Sequence, residues 1–383
     1  MDAKKLFEII YSKKDEYINF LKEIVEIESP TTYKEGVDKV GEYFVEKAEK
    51  LGFKTEVFEQ KTAGNVVVIT MNPESKEKPI CLSGHIDTVH PVGLFGEPCV
   101  KIEGNKMIGP GVCDCKGGCV NAFWAMDALS ELGYDKRPIM LLLQSDEETS
   151  SRESNKETIK YIVERSKEAV AFLNMEPCVN NRGVILERKG IAKFEFTVLG
   201  KSEHASICYK GASAVAEAAH KILQLEKYKD KDGITCNCGT IQGGTVPNTV
   251  PEKCVFSLDT RFKNEKQYEE ICEIVNRVAE EKSIEGTTCT VKELSVRPSM
   301  PRAERNYALL KEVNEIFKNA GLKEITTIET YGGSDAAYVT LAGIPVIDSI
   351  GAVGDKFHSQ NEYIFTEDFS LSTKRVAAII ANK

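Results

Sequence analysis

Imidazole and carboxylate side chains follow several short apolar runs of this sequence. His85, the adjacent pair Glu147 and Glu148, and Glu176 each stand within a few residues of such a run, and His358 lies farther downstream of the last one. These groups are ligands that proteins use for divalent transition metals. In open α/β sheets the carboxyl ends of strands converge on one crevice, so side chains that are distant in sequence become neighbours there. The pattern therefore predicts a metal-binding site.

A further carboxylate, Asp114, lies in the glycine-rich segment 109–118, where a helical pattern opens. Asp87 follows His85 by two residues, so the two side chains point to the same side of an extended chain. A carboxylate in that position can hold the imidazole in one tautomer, which is a frequent arrangement beside metal ligands. We therefore expect Asp87 to support His85.

The chain has five histidines. Taken singly, a histidine or a pair of adjacent acids is usually no more than a solvated surface group. Three of the five, His85, His204 and His358, fall in motifs punctuated by glycine or acidic residues, which favours a functional role for them. His90 and His220 are interpreted as an ordinary loop residue and a helix-surface residue.

Buried strands would have to position these side chains. Apolar runs of strand length occur at 65–70, 79–82, 139–143, 169–173 and 344–347. Helical patterns lie between them, such as the one at 118–132, and Val40, Phe44, Ala48 and Leu51 recur at helical spacing. Alternating helices and fully apolar strands predict an α/β fold with a mostly parallel sheet.

The pattern changes between about 187 and 296. Apolar residues alternate with polar ones at 192–198, which is typical of a strand with one solvated face. The segment reads as strand 191–199, helix 212–227, strands 235–241 and 253–261, helix 265–281 and strand 288–295. This βαββαβ order predicts a ferredoxin-like domain. Because the α/β pattern resumes after Pro301, we expect it to be inserted at 187–296 into a domain made of 1–186 and 297–383.

Bulk composition excludes several classes of protein. The 383 residues are 42% hydrophobic and 28% charged, which is an ordinary globular composition for two domains. A net charge of −9 disfavours nucleic acid and anionic lipid as partners. The charged N-terminus and the lack of a run of ~18 apolar residues predict a cytoplasmic protein that is not embedded in a membrane. The twelve scattered cysteines are interpreted as reduced thiols.

From about Val40 to the C-terminus, these motifs together resemble the aminoacylase/carboxypeptidase superfamily of metallopeptidases, and most closely its bacterial glutamate carboxypeptidases. The resemblance implies two zinc ions per chain, with Co²⁺ or Mn²⁺ as substitutes. His85 and Glu176 match the ligands of one ion, and Glu148 and His358 match those of the other. Asp114 matches the carboxylate that bridges both ions, with a cis bond to Cys115. Glu147 matches the general base.

The resemblance extends to the inserted domain and beyond it. His204 matches a histidine that reaches a catalytic centre, often that of a partner subunit, which implies a homodimer formed through an inserted lid domain. The other matching positions are on the substrate side and comprise Asn248, Arg261, Arg297, Gly332 and Gly333. Arg297 precedes Pro298, which favours an extended backbone.

Some positions depart from the family pattern. Cys115 stands where a non-thiol is commoner, and Ser206 and Ser213 replace a frequent glycine and a frequent asparagine. The glycines that usually follow the second glutamate are missing from 149–152. None of these differences removes a ligand, so they concern the pocket wall and the lid contact.

The sequence thus predicts a metallohydrolase that releases a C-terminal amino acid from a small peptide. Alternatives with the same metal site are a deacylase of N-acyl amino acids, such as an acetylornithine deacetylase or a succinyl-diaminopimelate desuccinylase, and a dipeptidase. A more distant alternative is a non-catalytic protein with a thiol-based zinc or redox site. The thiols that could form it are Cys113, Cys115, Cys119, Cys236 and Cys238.

Overall fold

The computed structural model describes residues 2–179, 183–330 and 332–383. The chain divides into two compact units. The first unit comprises Met1–Leu186, Arg302–Glu329 and Tyr338–Lys383, and the second comprises Glu187–Pro301 and Thr330–Ala337. The short segment Thr330–Ala337, which contains Gly332 and Gly333, therefore groups with the second unit.

Helices and strands alternate along most of the chain. The α-helices in the described residues are α1 (Ala3–Ser12), α2 (Lys14–Glu26), α3 (Lys34–Lys50), α4 (Lys116–Glu131), α5 (Glu157–Ser166), α6 (Ala214–Leu225), α7 (Glu265–Glu280), α8 (Glu304–Asn319), α9 (Ala336–Leu341) and α10 (Phe369–Asn382). The strands are β1 (Lys54–Phe58), β2 (Val66–Met71), β3 (Ile80–His85), β4 (Lys101–Glu103), β5 (Lys106–Ile108), β6 (Ile139–Gln144), β7 (Ala171–Asn174), β8 (Cys178–Val179), β9 (Gly190–Leu199), β10 (Thr235–Gly243), β11 (Lys253–Phe262), β12 (Thr288–Arg297), β13 (Val346–Ile347), β14 (Val353–Asp355) and β15 (Tyr363–Phe365).

The main sheet of the first unit has the order β1-β2-β6-β3-β7-β13. The pairs β6–β3, β3–β7 and β7–β13 are parallel, whereas β1–β2 and β2–β6 are antiparallel. All residues of β2, β3, β6 and β7 are buried, which explains why each of these strands begins with a run of apolar residues. Because β3, β6 and β7 are parallel, their carboxyl ends lie at the same edge of the sheet.

Helix α4 lies at the centre of the first unit. Every residue from Lys116 to Leu129 is buried, and the helix packs against α10, α2 and β3. A helix that is mostly apolar on all sides is expected to be enclosed by other elements. Rings of Phe20, Phe44 and Phe123 pack together beside it, with centroids 5.0 to 5.9 Å apart.

A second, smaller sheet of the first unit has the order β4-β5-β15-β14-β8. Its strands are only two or three residues long. The antiparallel pair β14–β15 is joined by the segment that carries His358. This sheet therefore fixes both ends of that segment.

The second unit has the element order β9-α6-β10-β11-α7-β12 and one antiparallel sheet ordered β10-β11-β9-β12, which is a ferredoxin-like arrangement. The apolar residues at alternate positions of β9 and β11 pack beneath α6 and α7. Phe196 and Phe256 pair across the two strands with ring centroids 4.6 Å apart. A short 3-10 helix, Ala205–Lys210, precedes α6.

The predicted α/β fold is confirmed, and each predicted strand overlaps an observed one. Helices α1 and α2 were not predicted, although Leu6, Ile10 and Phe20 give their inner faces an apolar stripe. Within the described residues, no helix has the length and apolarity needed to cross a lipid bilayer.

Candidate metal centre

The carboxyl edge of the main sheet brings the first ligand candidates together. His85 is the last residue of β3 and pairs in register with Gln144, the last residue of β6. Glu147 and Glu148 follow the end of β6 by three and four residues, and Glu176 follows the end of β7 by two. Parallel pairing of these strands therefore places the side chains next to one another.

Five of the predicted residues form two groups that share one carboxylate. The ligand atoms of His85, Asp114 and Glu176 lie within 4.8 Å of one another, and so do those of Asp114, Glu148 and His358. Asp114 Oδ1 is 3.1 Å from His85 Nε2, and its Oδ2 is 3.2 Å from His358 Nε2. His358 Nε2 is also 3.4 Å from Glu148 Oε2. Asp114 is thus placed to bridge two cations.

The electrostatics of these groups fit a cation pair. Burial, followed by the charge of Asp114, raises the pKa of Glu148 to about 8 and that of Glu176 well above its ordinary value. Burial opposes ionisation of Asp114 too, but hydrogen bonds from His358 and His85 outweigh it and lower the pKa of this carboxyl. Hydrogen bonds to Asp114 and Glu148 raise the pKa of His358 to about 11. Glu148 and Glu176 thus retain protons that divalent cations would displace, whereas Asp114 does not.

Asp87 is fully buried and contacts several parts of the site. Its carboxylate accepts hydrogen bonds from the backbone N–H groups of Glu147 and Glu148, both at 3.2 Å, and from Oγ1 of Thr31 at 2.6 Å. Nδ1 of His85 lies 3.0 Å from the Asp87 carbonyl oxygen and 3.4 Å from its carboxylate. Asp87 therefore orients both the imidazole and the backbone of the two glutamates.

Glu147 lies among the ligand groups without belonging to either triad. It is 6% exposed, and its charge contributes to the raised pKa of both Glu148 and Glu176. A carboxylate held this close to a cation site, yet outside the ligand triads, can accept a proton from a bound nucleophile.

The segment after Glu148 adopts an unusual backbone. Ser150, Ser151, Asn155 and Lys156 all have positive φ angles of 51° to 69°, although none is glycine. Buried Asp146 organises the segment by accepting hydrogen bonds from the backbone N–H of residue 154 and from the hydroxyl of residue 158. Side-chain and backbone bonds therefore fix the conformation that glycines would adopt more readily.

The loop that carries Asp114 depends on close backbone packing. The Asp114–Cys115 peptide bond is cis, as the resemblance implied. Gly111 has a φ of +73°, and a side chain on Gly118 would overlap the carbonyl oxygen of Met175. The glycine-rich composition of the loop thus follows from its geometry.

In the second unit, His204 and Asn248 are neighbours. The backbone N–H of Ala205 donates to the carbonyl of Asn248 at 2.9 Å, and His204 pairs with Thr249. Both His204 and Asn248 are exposed, and Nδ1 of His204 is 2.8 Å from Oγ of Ser206. His204 thus lies on the surface of this unit, and one of its ring nitrogens is engaged by Ser206.

Another part of the second unit gathers Arg297 with the glycine-rich turn. Arg297 ends β12, is 5% exposed and lies 3.9 Å from a carboxylate oxygen of Asp335. A side chain on Gly333 would collide with the Arg297 side chain, and the carbonyl groups of Gly332 and Gly333 accept hydrogen bonds from Nη1 of Arg188. Arg297 is therefore an enclosed arginine and not a solvated surface group.

Arg261 has an intramolecular partner in the same strand. Its Nε donates to one carboxylate oxygen of Asp259 at 2.7 Å, and its Nη2 donates to the other at 3.3 Å. The guanidinium fork is thus already engaged by a carboxylate two residues away.

Two of the thiols near the candidate centre are held by hydrogen bonds to backbone carbonyl groups. All twelve cysteines are in the thiol form. Sγ of Cys115 donates to the carbonyl of Met175 at 3.0 Å, and Sγ of Cys119 donates to that of His85 at 3.4 Å. Burial raises the pKa values of Cys113 and Cys115 well above the ordinary range, which disfavours the thiolate form that binds metals.

His90 does lie in a loop, as predicted, but it is buried and is not a solvated surface group. His90 is 4% exposed, and its Nε2 lies 2.9 Å from the buried carboxylate of Glu362, a residue that sequence reasoning missed. Glu362 stands four residues after His358 in the same short segment, which was the only available signal in the sequence. His220 does lie on the exposed surface of α6, as predicted.

Comparison with known proteins identifies the family. The model of peptidase family M20/M25/M40 matches residues 81–382, which include all five ligand candidates. The chain belongs to peptidase family M20/M25/M40. As a member of this family, it is a hydrolase that acts on peptide or amide bonds, and the predicted superfamily is confirmed.

Relatives of this M20 peptidase differ in substrate. It is 29% identical to Carboxypeptidase G2 of Pseudomonas sp. (strain RS-16), over 94% of this chain and 87% of that protein. It is 24% identical to the succinyl-diaminopimelate desuccinylase of Rickettsia massiliae (strain Mtu5), over 92% of this chain and 96% of the relative. The M20 family metallo-carboxypeptidase Sso-CP2 from Sulfolobus solfataricus shares the fold, with a TM-score of 0.78, 19% identity, and coverage of 95% of this chain and 98% of that one.

Proposed function

We propose that the protein is a dinuclear metal-dependent carboxypeptidase, which releases a C-terminal amino acid from a small peptide or an acylated amino acid. The observation that carries this proposal is the Asp114 carboxylate, shared between two ligand triads with Glu147 beside them. The similarity to Carboxypeptidase G2 supports a substrate of the glutamate-carboxypeptidase type.

Two zinc ions, with Co²⁺ or Mn²⁺ as substitutes, fit this donor set. His85 and Glu176 would hold one ion, Glu148 and His358 the other, and Asp114 both. Two imidazole nitrogens and three carboxylates are suitable ligands for these metals. When bound, the ions supply Lewis acidity to a water molecule and to the scissile carbonyl oxygen.

Glu147 would act as the general base. Its carboxylate takes a proton from the attacking water and passes it to the leaving amine nitrogen, which departs as a neutral amine. The hydrogen bond from the Glu147 backbone N–H to buried Asp87 supports this role, because it fixes the main chain from which the base projects.

His204 would stabilise the negative oxygen that develops on the scissile carbonyl, acting in the site of a partner subunit. Its exposure on the second unit, with one ring nitrogen already held by Ser206, supports a role for the other ring nitrogen toward a second molecule. The proposed assembly is a homodimer formed through the second unit, which would also serve as a lid.

Arg297 would bind the free carboxylate of the substrate, with Asn248 and the turn at Gly332 and Gly333 completing the substrate side. An enclosed guanidinium can pair strongly with a carboxylate because little water competes for it. The engagement of Arg261 by Asp259 makes Arg261 the weaker candidate for this contact.

A deacylase of N-acyl amino acids is the second candidate, supported by the similarity to a succinyl-diaminopimelate desuccinylase. Both candidates use the same metal centre and hydrolyse an amide bond. The twelve thiols support a reducing compartment such as the cytoplasm for either of them.

A hydrolysis screen separates the two candidates. Folyl- or benzoyl-glutamate and dipeptides would be compared with acetylornithine and succinyl-diaminopimelate, in the presence of zinc, cobalt or manganese. We expect the highest kcat/KM for acyl-glutamate substrates. A kcat/KM more than about tenfold higher for succinyl-diaminopimelate would instead favour the deacylase.

A further inference from the structure

The carboxylate of Glu362 is fully buried and has four nitrogen atoms within hydrogen-bonding distance, three of them backbone N–H donors. Its Oε1 accepts from the backbone N–H groups of Cys113 at 2.8 Å and Asp114 at 2.9 Å. Its Oε2 lies 2.9 Å from Nε2 of His90 and 3.4 Å from the backbone nitrogen of Gly111. None of these contacts takes part in the hydrolytic steps proposed above.

We propose that Glu362, together with His90, is a positioning residue that holds the Asp114 carboxylate where it can bridge two metal ions. This inference rests on the proposed dinuclear centre. It assigns to Glu362 a contact with the peptide backbone of a ligand, not with a metal or a substrate.

Glu362 connects three segments of the chain that carry candidate ligands. His90 lies in the segment that follows His85, and Glu362 lies in the segment that carries His358. One carboxylate therefore joins the three chain segments that supply His85, Asp114 and His358. Displacing the Glu362 carboxylate would loosen His85 and His358, which are ligands of different ions, and also Asp114, the ligand that both ions share.

The hydrogen-bond partners of Glu362 suit a carboxylate at this position. Three of them are backbone N–H groups, which only donate, so the two oxygens of an ionised carboxylate suit all the contacts. A glutamine at this position would turn an NH₂ group toward at least one donor. Glu362→Gln therefore keeps the size of the side chain but loses its complementarity with the loop.

Local packing keeps the pair in place. The His90 ring meets Phe95 edge-on with centroids 5.0 Å apart, and His90 is 4% exposed. Buried Lys116, next to this loop, lies within electrostatic reach of Glu362 and donates to the carbonyl groups of Ile24 and Ile27. This ammonium offsets part of the negative charge that Glu362 brings into the core.

Cobalt affinity tests the proposal without relying on catalysis. Metal-free wild type, Glu362→Gln, His90→Phe and His90→Gln would be titrated with Co²⁺ while the visible absorption of the bound ion is recorded. His220→Gln, on the exposed surface of α6, is the control. Thermal unfolding of each metal-free variant would show whether it is folded.

We expect Glu362→Gln to weaken Co²⁺ binding about 10- to 100-fold and to change the absorption spectrum, as changes to groups behind metal ligands usually do. His90→Phe should weaken it about tenfold, whereas His90→Gln, which restores an N–H donor, should recover most of the affinity. At saturating Co²⁺, kcat of the two impaired variants should fall while KM changes by less than about twofold.

Wild-type affinity and spectrum in a folded Glu362→Gln protein would overturn the proposal. If Glu362→Gln does not fold, the two His90 variants test the proposal instead. Equal Co²⁺ affinity of His90→Phe and wild type would then overturn it. A wild-type protein that binds Co²⁺ but hydrolyses none of the screened substrates would instead refute the proposed function.

Discussion

Asp114 lies between His85 and His358, with Oδ2 only 3.2 Å from Nε2 of His358. The two residues are distant in sequence: Asp114 comes from the loop before α4 and His358 from the connection between β14 and β15. As a result, the two groups of candidate ligands share the Asp114 carboxylate. The proposed division of labour among the surrounding side chains depends on this geometry.

Glu147 and Glu148 should respond differently to the same substitution. Glu147→Gln removes the proton acceptor but no ligand, so kcat should fall about 10²- to 10⁴-fold while the metal content stays at the wild-type level. Glu148→Gln should instead lower metal occupancy. Kinetics and elemental analysis of both variants would check this, and equal metal retention with equal loss of activity would refute the assignment.

Subunit mixing tests the role of His204. His204→Ala and Glu147→Gln should each be almost inactive alone, but a mixed dimer contains one site with neither defect. Random exchange should then restore about one quarter of wild-type activity. Exchange would be verified with differently tagged chains, and no recovery after proven exchange would place His204 in its own site.

Arg297→Lys should raise KM for substrates with a free C-terminal carboxylate. Lysine keeps the charge but cannot form the two parallel bonds, and losing a desolvated charge-assisted contact costs roughly 2–5 kcal/mol, or about 30- to several-thousand-fold. A carboxamide analogue, which lacks the anion, is the matched control and should change little. If Arg297→Lys left KM unchanged for every substrate, the group that binds the substrate carboxylate would have to be Asn248 or Arg261 instead.

Metal affinity should increase with pH. In the metal-free protein the pKa of Glu148 is raised to about 8 by burial and by the charge of Asp114, so this carboxyl is protonated below that pH. The metal must displace the proton, which becomes easier as pH rises, and each displaced proton tightens binding about tenfold per pH unit. Calorimetric titration with Co²⁺ at two pH values, in buffers of different ionisation enthalpy, measures both affinity and proton release. A pH-independent affinity would contradict this prediction.

Much of the first unit was predictable because its central strands are buried on both faces. The runs that became β3, β6 and β7 are apolar without interruption, and the ligand candidates His85, Glu148 and Glu176 stand within four residues of where they end. Local patterns of this kind report strand position and the residues at the carboxyl edge. They also sufficed to predict the elements of the second unit.

Contacts that join distant segments could not be predicted in this way. The bond between His90 and Glu362 links two loops, and nothing in the periodicity of either loop reveals the other. The short strands of the second sheet are likewise too brief to show a pattern. Arg261 is a different case, because its spacing of two from Asp259 places both side chains on one face of β11, a signal that the sequence did contain.

Metal stoichiometry of wild type and Asp114→Asn tests the central claim most directly. We expect wild type to bind about two ions per chain, with activity lost on chelation and restored by added metal. Asp114→Asn should bind less than half of this metal, while Asp232→Asn, at a side chain that is 83% exposed in the second unit, should match wild type. Full activity of chelated, metal-free wild type, or two tightly bound ions in Asp114→Asn, would contradict the account.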